Sequence, residues 1–150
     1  MKKGYLRYFA MILTSAVLMY GVMYLNTYEI GHVYFSETRL YMTILSTCVM
    51  AIVMLLFMLN MLSNRKLNIV IVLASIIIFS TSFVLMRNQS IVDDVDYMQQ
   101  MIPHHSIAIL TSENADLSDP RVKQLAEDII KAQEREIEMM SELIVELEDK

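Results

Sequence analysis

Residues 40–86 read "LYMTILSTCVMAIVMLLFMLNMLSNRKLNIVIVLASIIIFSTSFVLM", two apolar runs joined by a short polar turn. The runs cover roughly residues 40–62 and 67–86, and each is essentially free of charge. A similar run precedes them at roughly residues 8–25. About 20 apolar residues are needed to cross the bilayer core as a helix, and an isolated span must be helical because lipid cannot pair its backbone polar groups. The sequence therefore predicts three transmembrane helices.

Basic residues predict the orientation of these spans. Three Lys or Arg residues lie within the first seven positions, and Arg65 and Lys66 lie in the turn between the second and third runs. Cytoplasmic loops carry an excess of Lys and Arg. We therefore predict a multi-pass protein of a bacterial cytoplasmic (inner) membrane, with its N-terminus inside and residues 88–150 outside.

The charge also divides the chain in two. Residues 1–87 carry seven Lys or Arg against two acids, whereas residues 88–150 carry five against fifteen acids. We predict a membrane domain over 1–87 and an extracytoplasmic helical domain over 88–150. The acidic surface of the second domain argues against nucleic acid as a partner, because nucleic-acid binding needs a basic patch.

The acidic part has the pattern of two amphipathic helices, one over about Val92–Asn114 and one over about Pro120–Leu147. Ile91, Val95, Met98, Ile102, His105 and Ile109 share one face of the first helix. Pro120 suits the first position of the second helix, and Asp119 can cap it. The fold class is therefore all-α, with three transmembrane helices followed by a helical hairpin.

The second helix has more apolar surface than one neighbour can cover. One row repeats every seven residues and contains Ile130, Ile137 and Ile144. Beside it lies a second row, the apolar row, which repeats at intervals of three and four. Its members are Val122, Leu125, Ile129, Ala132, Glu136, Met139, Leu143 and Leu147. A single hairpin of this size is marginally stable alone. We therefore predict a homo-oligomer in which two hairpins complete a four-helix bundle.

A methionine–histidine cluster, "MQQMIPHHS", occupies residues 98–106. Met101 precedes His104 by three residues and His105 by four, so these side chains share one helix surface, and Met98 lies a turn earlier. Pro103 predicts that the helix kinks or restarts there. Thioethers select Cu(I) or Ag(I) over harder ions, and imidazole accepts several metals. Met140 of the second helix is our candidate cross-helix ligand; the competing interpretation is that these methionines pack the core.

These residues resemble the bacterial domain-of-unknown-function family 305 (DUF305), a ferritin-like helical domain. The matching stretches are "DYMQQMIPHHSIAI" at 96–109 and "DPRVKQLAEDIIKAQEREIEMM" at 119–140, within about 93–147. The resemblance implies an extracytoplasmic helical domain, with some members linked to copper binding and copper tolerance. It implies four ligand candidates: Met101, His104, His105 and Met140. The family often has a further methionine where this chain has Thr111.

The expected function is membrane-anchored binding of Cu(I) or Ag(I), for sequestration or handover in metal tolerance. The alternative is a non-metal module that oligomerises the membrane part. We do not expect an enzyme, because the sequence has no Gly-rich phosphate loop, nucleophile elbow or HExxH motif. No Glu precedes either histidine of the pair by three residues, as a ferritin-like di-iron site would require.

Overall fold

The computed structural model describes residues 2–25, 27–89 and 92–148. Within them the regular structure is entirely helical, which confirms the all-α prediction. The elements are α1 (Lys2–Val22), a 3-10 helix (Ile30–His32), α2 (Glu37–Phe57), α3 (Arg65–Asn88), α4 (Asp94–Asn114) and α5 (Pro120–Glu148). Ile91, which the sequence analysis placed on the inner face of the first hairpin helix, lies outside the described residues.

The chain divides into two compact units. The membrane unit comprises Met1–Met23 and Glu37–Ile91, and the hairpin unit comprises Tyr24–Ser36 and Val92–Lys150. The segment 24–36, between α1 and α2, groups with the hairpin helices rather than with the spans that flank it in sequence.

Three of the described helices, α1, α2 and α3, are long and apolar enough to cross a membrane. α2 ends at Phe57, five residues before the apolar run does. The chain then turns, with the carbonyl of Met58 accepting from the N–H groups of Met61 and Leu62, both at 2.9 Å. Leu62 is fully buried, so the last residue of this run packs into the core of the unit instead of extending the helix.

The core of the membrane unit joins α1 to α2 and α3. It contains Tyr5, Tyr8, Ala51, Leu55, Leu62 and Ile71. The Tyr8 hydroxyl donates to the Ala51 carbonyl at 2.6 Å, which satisfies a buried polar group of α1 within the helix contact. The Tyr5 hydroxyl donates to Oδ1 of Asn68 at 2.7 Å. The start of α1 is thus fixed beside the start of α3.

Local capping sets the ends of the hairpin helices. Asp93 and Asp96 form a capping box at the start of α4: the Asp93 carboxylate accepts from the Asp96 N–H at 2.8 Å. At the start of α5, the Asp119 carboxylate accepts from the Arg121 N–H at 2.8 Å, and Pro120 is the first helical residue. α4 and α5 begin and end within two residues of the predicted limits, because polar caps mark these boundaries in the sequence.

Candidate functional site

α4 carries the methionine–histidine cluster on one continuous helix. Pro103 lies inside α4 and is buried, and the helix does not restart there as the sequence analysis allowed. Residues before and after the proline therefore keep one helical register. Met98, Ile102 and Ile109 fall on the same face, and that face packs against α5.

The contact between α4 and α5 is an apolar core. Met98, Ile102 and Ile109 of α4 meet Ile137 and Ile144 of α5, and each is less than a tenth exposed. Val95, Ile130 and Met140 pack against this cluster as partly buried residues. Burial of Met98 among isoleucines matches the competing interpretation given for it above: the side chain packs the core.

His105 reaches across this contact to α5. Its Nε2 lies 2.9 Å from Oε2 of Glu136, with the His105 side chain 12% exposed and that of Glu136 46% exposed. Its Nδ1 lies 2.9 Å from the carbonyl oxygen of Met101, one turn earlier in α4. Both nitrogens of the imidazole are therefore held by named partners, and the ring plane is fixed.

The Met101 contact determines which nitrogen can act as a ligand. A carbonyl oxygen only accepts, so Nδ1 of His105 must carry the proton that it donates. Nε2 is then the nitrogen that can present a lone pair, but only when it carries no proton and the Glu136 carboxylate that it contacts at 2.9 Å has moved away. Metal-binding histidines are commonly oriented this way, with one ring N–H donated to a backbone carbonyl and the other nitrogen directed at the ion. His105 thus has the orientation of a metal ligand, with Nε2 held by the partly exposed carboxylate of Glu136.

His104 and His105 have different surroundings although they are adjacent in sequence. His104 is exposed, and its ring centroid lies 6.1 Å from that of His105 with the planes at 79°. Met101 is half-buried. Of the five predicted site residues, the structure brings His105 and Met140 to the α4–α5 contact, buries Met98 in the core, and leaves His104 at the surface.

Glu136 is the residue that sequence reasoning undervalued. It lies one turn before Met140, and a carboxylate is not a ligand that Cu(I) prefers. The interval from His105 to Glu136 gives no local signal, because the pair depends on the packing of two helices. Thr111, where the resembling family often has methionine, is exposed, and its hydroxyl donates to the Ile107 carbonyl at 2.9 Å.

A second feature missed from the sequence is the attachment of residues 27–36 to α4. Ser106 is fully buried, and its Oγ accepts from the Tyr28 N–H at 2.8 Å. Nδ1 of His32 lies 3.1 Å from the same oxygen, and Nε2 of His32 lies 3.9 Å from Oε2 of Glu29. His32 is therefore tied to the residue that follows His105. Its polar contacts with Ser106 and Glu29 account for its position without a metal.

Acidic side chains surround this attached segment. A cavity of about 320 Å³ is lined by Tyr28, Glu29, His32, Ile109, Glu134, Ile137 and Glu138. A hydrogen bond to Glu113, together with the negative charge of that carboxylate, raises the pKa of Tyr28 above its ordinary value. Within residues 2–25, 27–89 and 92–148, no three His, Cys, Asp or Glu side chains converge closely enough to hold a metal ion.

Comparisons with known proteins extend the resemblance. A family described as a domain of unknown function (DUF305) matches residues 94–150. The chain is also similar to an uncharacterized protein, L153, of Acanthamoeba polyphaga mimivirus, with 33% identity over 145 residues that cover 91% of this chain and 93% of that protein. No solved structure matches the chain. The match with the viral protein extends far N-terminal of the family domain. Its extent, with the domain match, shows that the chain belongs to the DUF305 family.

Proposed function

We propose that this protein is a membrane-anchored metal-binding protein whose hairpin takes up Cu(I) or Ag(I), for sequestration or handover in metal tolerance. The observation that carries the proposal is the orientation of His105. Its Nδ1 is occupied by the Met101 carbonyl, and its Nε2 faces α5. A ring held in this way loses little rotational freedom when it binds an ion.

The ligand set that we propose centres on His105 Nε2. Met101 lies one turn before His105, and Met140 lies one turn after Glu136, so each thioether shares a helix surface with one member of the His105–Glu136 pair. Thioether and imidazole ligands suit a monovalent coinage ion. Glu136 is nearly half exposed and can turn towards solvent when an ion takes its place at Nε2. Met98, buried in the core, supports the helix contact.

Adjacent histidines supply a matched test. The full chain in detergent, with Cys48 replaced by alanine to remove the only thiol, is titrated with Cu(I) under reducing conditions against a chromogenic chelator. We expect His105→Ala to weaken binding by about tenfold or more, and His104→Ala to change it by less than about twofold. Met140→Leu should also weaken binding, while Met139→Leu, at a 53% exposed neighbouring position, should not.

Equal losses in the two histidine variants would remove His105 from its central role. Unchanged affinity in the His104→Ala/His105→Ala double variant would remove metal binding at this cluster altogether. Circular dichroism of each variant checks that the helices remain, because His105 also makes one contact with α5 and one within α4.

The orientation in the membrane is part of the proposal. The Tyr5 hydroxyl accepts from the Asn64 N–H at 3.1 Å, so the basic N-terminal residues and the Arg65–Lys66 turn lie at the same end of the membrane unit. This supports a cytoplasmic location for both, with the hairpin outside a bacterial inner membrane. In the Cys48→Ala background, a membrane-impermeant maleimide should label Ser118→Cys in intact cells and label Arg65→Cys only after lysis. The reverse pattern would invert the topology.

A second candidate function, pairing of two copies into a ferritin-like four-helix bundle, is favoured by the outer surface of α5. Leu125 is 58% exposed although it belongs to the apolar row that repeats at intervals of three and four. Val145, 59% exposed, lies outside that row. We expect Leu125→Asp to abolish association of the full chain in light scattering and Val145→Asp to leave it intact. Equal effects would argue against pairing through this row.

A further inference from the structure

We propose that two copies of this chain pair through α5 in an antiparallel arrangement with one defined register, set by charges along one edge of the apolar row. The inference rests on the pairing function proposed above and is independent of metal binding. It specifies which residues of the two copies meet.

The apolar row on α5 is open to a partner. Its members follow intervals of three and four residues, the spacing with which paired helices interlock side chains. Val122, Leu125, Met139 and Leu143 of this row are each more than two-fifths exposed. The row that packs on α4 is a different one, containing Ile137 and Ile144. The contact with α4 therefore leaves most of the row that contains Val122 and Leu125 uncovered, although Glu136 of this row reaches His105.

The two edges of this row differ in charge. One edge carries Arg121, Asp128, Arg135 and Glu142, spaced by seven residues and alternating in sign. All four are exposed. Within the part of the chain that the structure describes, the one ion pair that any of them makes is that of Arg121 with Asp119. Asp128 accepts a hydrogen bond from Gln124 at 3.1 Å, and Arg135 and Glu142 are available to the charges of a second copy.

The other edge of the row carries no charge. It includes Ala126, Gln133 and Met140. In a parallel pair, the charged edge of one helix faces this uncharged edge of the other, so the alternating charges form no attractive pairs between the two helices. In an antiparallel pair, each edge faces its own counterpart. The sequence of charges therefore favours the antiparallel arrangement.

The alternation also selects the register. When Ile129 faces Ala132 of the partner subunit, Asp128 faces Arg135 of the partner subunit and Arg121 faces Glu142 of the partner subunit. By two-fold symmetry each of these opposite-charge pairs occurs twice. A shift by seven residues in one direction sets Asp128 against Asp128 of the partner subunit. A shift in the other sets Arg135 against Arg135 of the partner subunit. Both shifts bring like charges together, which disfavours them.

Shape at the ends of α5 agrees with the same register. A cavity of about 220 Å³ opens near the start of α5, lined by residues that include Ala115, Leu117, Val122, Leu125 and Ile129. In the proposed register, Val122 faces Met139 of the partner subunit. Met139 is 53% exposed and Leu143 is 41% exposed near the far end of α5. Each copy thus offers protruding apolar side chains at one end and an apolar hollow at the other.

The register also places a hydrophobic side chain over Glu136, the residue of α5 that contacts His105. Glu136 lies in the apolar row, and its carboxylate is nearly half exposed in a single chain. In the proposed pair it faces Leu125 of the partner subunit.

Cysteine cross-linking distinguishes the arrangements, because residues 122 and 139 are about 25 Å apart along a helix. The full chain carries Cys48→Ala and either Val122→Cys or Met139→Cys, with different tags, in lipid nanodiscs or detergent. The antiparallel register predicts that a short bifunctional thiol reagent joins Val122→Cys chains to Met139→Cys chains. It also predicts that Val122→Cys chains do not join one another.

Charge reversal tests the register without touching the apolar row. We expect Arg135→Glu to weaken the dimer by about tenfold, because two symmetric attractions become repulsions. Adding Asp128→Lys to the same chain should restore wild-type association. Circular dichroism of both variants checks that α5 remains helical. We expect it to remain so, because both positions are exposed in the single chain.

The outcomes separate register from pairing. Cross-linking of Val122→Cys chains to one another, or a dimer that Arg135→Glu does not weaken, overturns the register and leaves pairing standing. A double variant as weak as Arg135→Glu alone overturns the charge argument. A wild-type chain that stays monomeric throughout the concentration range overturns both the register and the pairing function.

Discussion

The membrane unit and the hairpin unit both leave large apolar side chains uncovered, but in different patterns. On α3, Val70, Leu73 and Ile76 are each about half exposed, and together they cover most of the helix surface outside the face that carries the buried Ile71. On α5 most of the exposed apolar residues form a row with charged residues beside it. Exposure over most of a helix surface suits lipid as the solvent, whereas exposure along one row suits a protein partner.

The largest expected effect is the loss of membrane association when an arginine is placed on the exposed surface of α3, compared with an arginine on the exposed surface of α5. Ile77, 64% exposed, lies near the middle of α3, and Val145, 59% exposed, lies on α5 outside the apolar row. An arginine at the centre of a transmembrane helix costs about 3 to 10 kcal/mol. We expect Ile77→Arg to move the chain out of the membrane fraction after alkaline extraction.

Val145→Arg is the matched control, because arginine on a water-exposed helix surface has little cost. It should leave the protein fully membrane-bound. If the two variants fractionate alike, the surface of α3 does not face lipid, and the contrast between the units fails.

The contrast also explains which features were predictable. Composition alone locates α1, α2 and α3, and the caps at Asp93 and Asp119 locate the hairpin helices, because these signals are local. The end of α2 was predicted five residues late, since hydropathy does not distinguish an apolar helix from an apolar turn such as the one that buries Leu62. Such a turn depends on packing against α1.

Long-range polar contacts were the least predictable part of the site. The cluster on α4 was visible as residue types at helical spacing, and His105 was among the candidates. That His105 rather than His104 faces α5 depends on the rotation of α4 about its axis. The partners of Ser106, namely the Tyr28 N–H and His32, lie more than seventy residues away in sequence. Whether a metal binds remains a prediction.

A smaller effect compares cavities made in the two cores. Ile102 of the hairpin is fully buried, and Leu55 of α2 is 2% exposed. Ile102→Ala should cost about 2–5 kcal/mol, because it loses both apolar burial from water and close packing. Leu55→Ala should cost less, because lipid tails are as apolar as leucine and only the packing is lost.

Hydrogen exchange on the full chain in detergent measures both core variants. Amides of α4 should lose protection strongly in Ile102→Ala, while amides of α2 lose protection only modestly in Leu55→Ala. A larger loss of protection in α2 than in α4 would show that burial from water stabilises the membrane unit. That result would contradict the view that the exposed surface of this unit faces lipid.

The smallest effect distinguishes the caps of the two units. α3 begins at a neutral cap, where Oδ1 of Asn64 accepts from the Leu67 N–H at 3.2 Å. α5 begins at a charged one, where hydrogen bonds from Arg121 hold the pKa of Asp119 below its ordinary value. A lowered pKa in the folded chain means that the stabilisation is present above the unfolded pKa of about 4 and is lost as pH falls through the folded value. Asp119→Asn retains an acceptor for the cap and removes only the charge.

At pH 6 we therefore expect the amides in the first turn of α5 to be about twofold less protected from exchange in Asp119→Asn than in the wild type. The protection in the two proteins should become equal as the pH falls below the folded pKa of Asp119. Amide exchange of residues 121–123 in the two proteins, compared at each pH, measures this difference. Asp116→Asn, an exposed acid three residues earlier, should show no such convergence. The first turn of α3 should not change with pH in this range, because Asn64 does not titrate. A pH-dependent loss of protection at both helix starts would instead indicate unfolding of the whole chain. The distinction between a neutral cap in the membrane unit and a charged cap in the hairpin unit would then not hold.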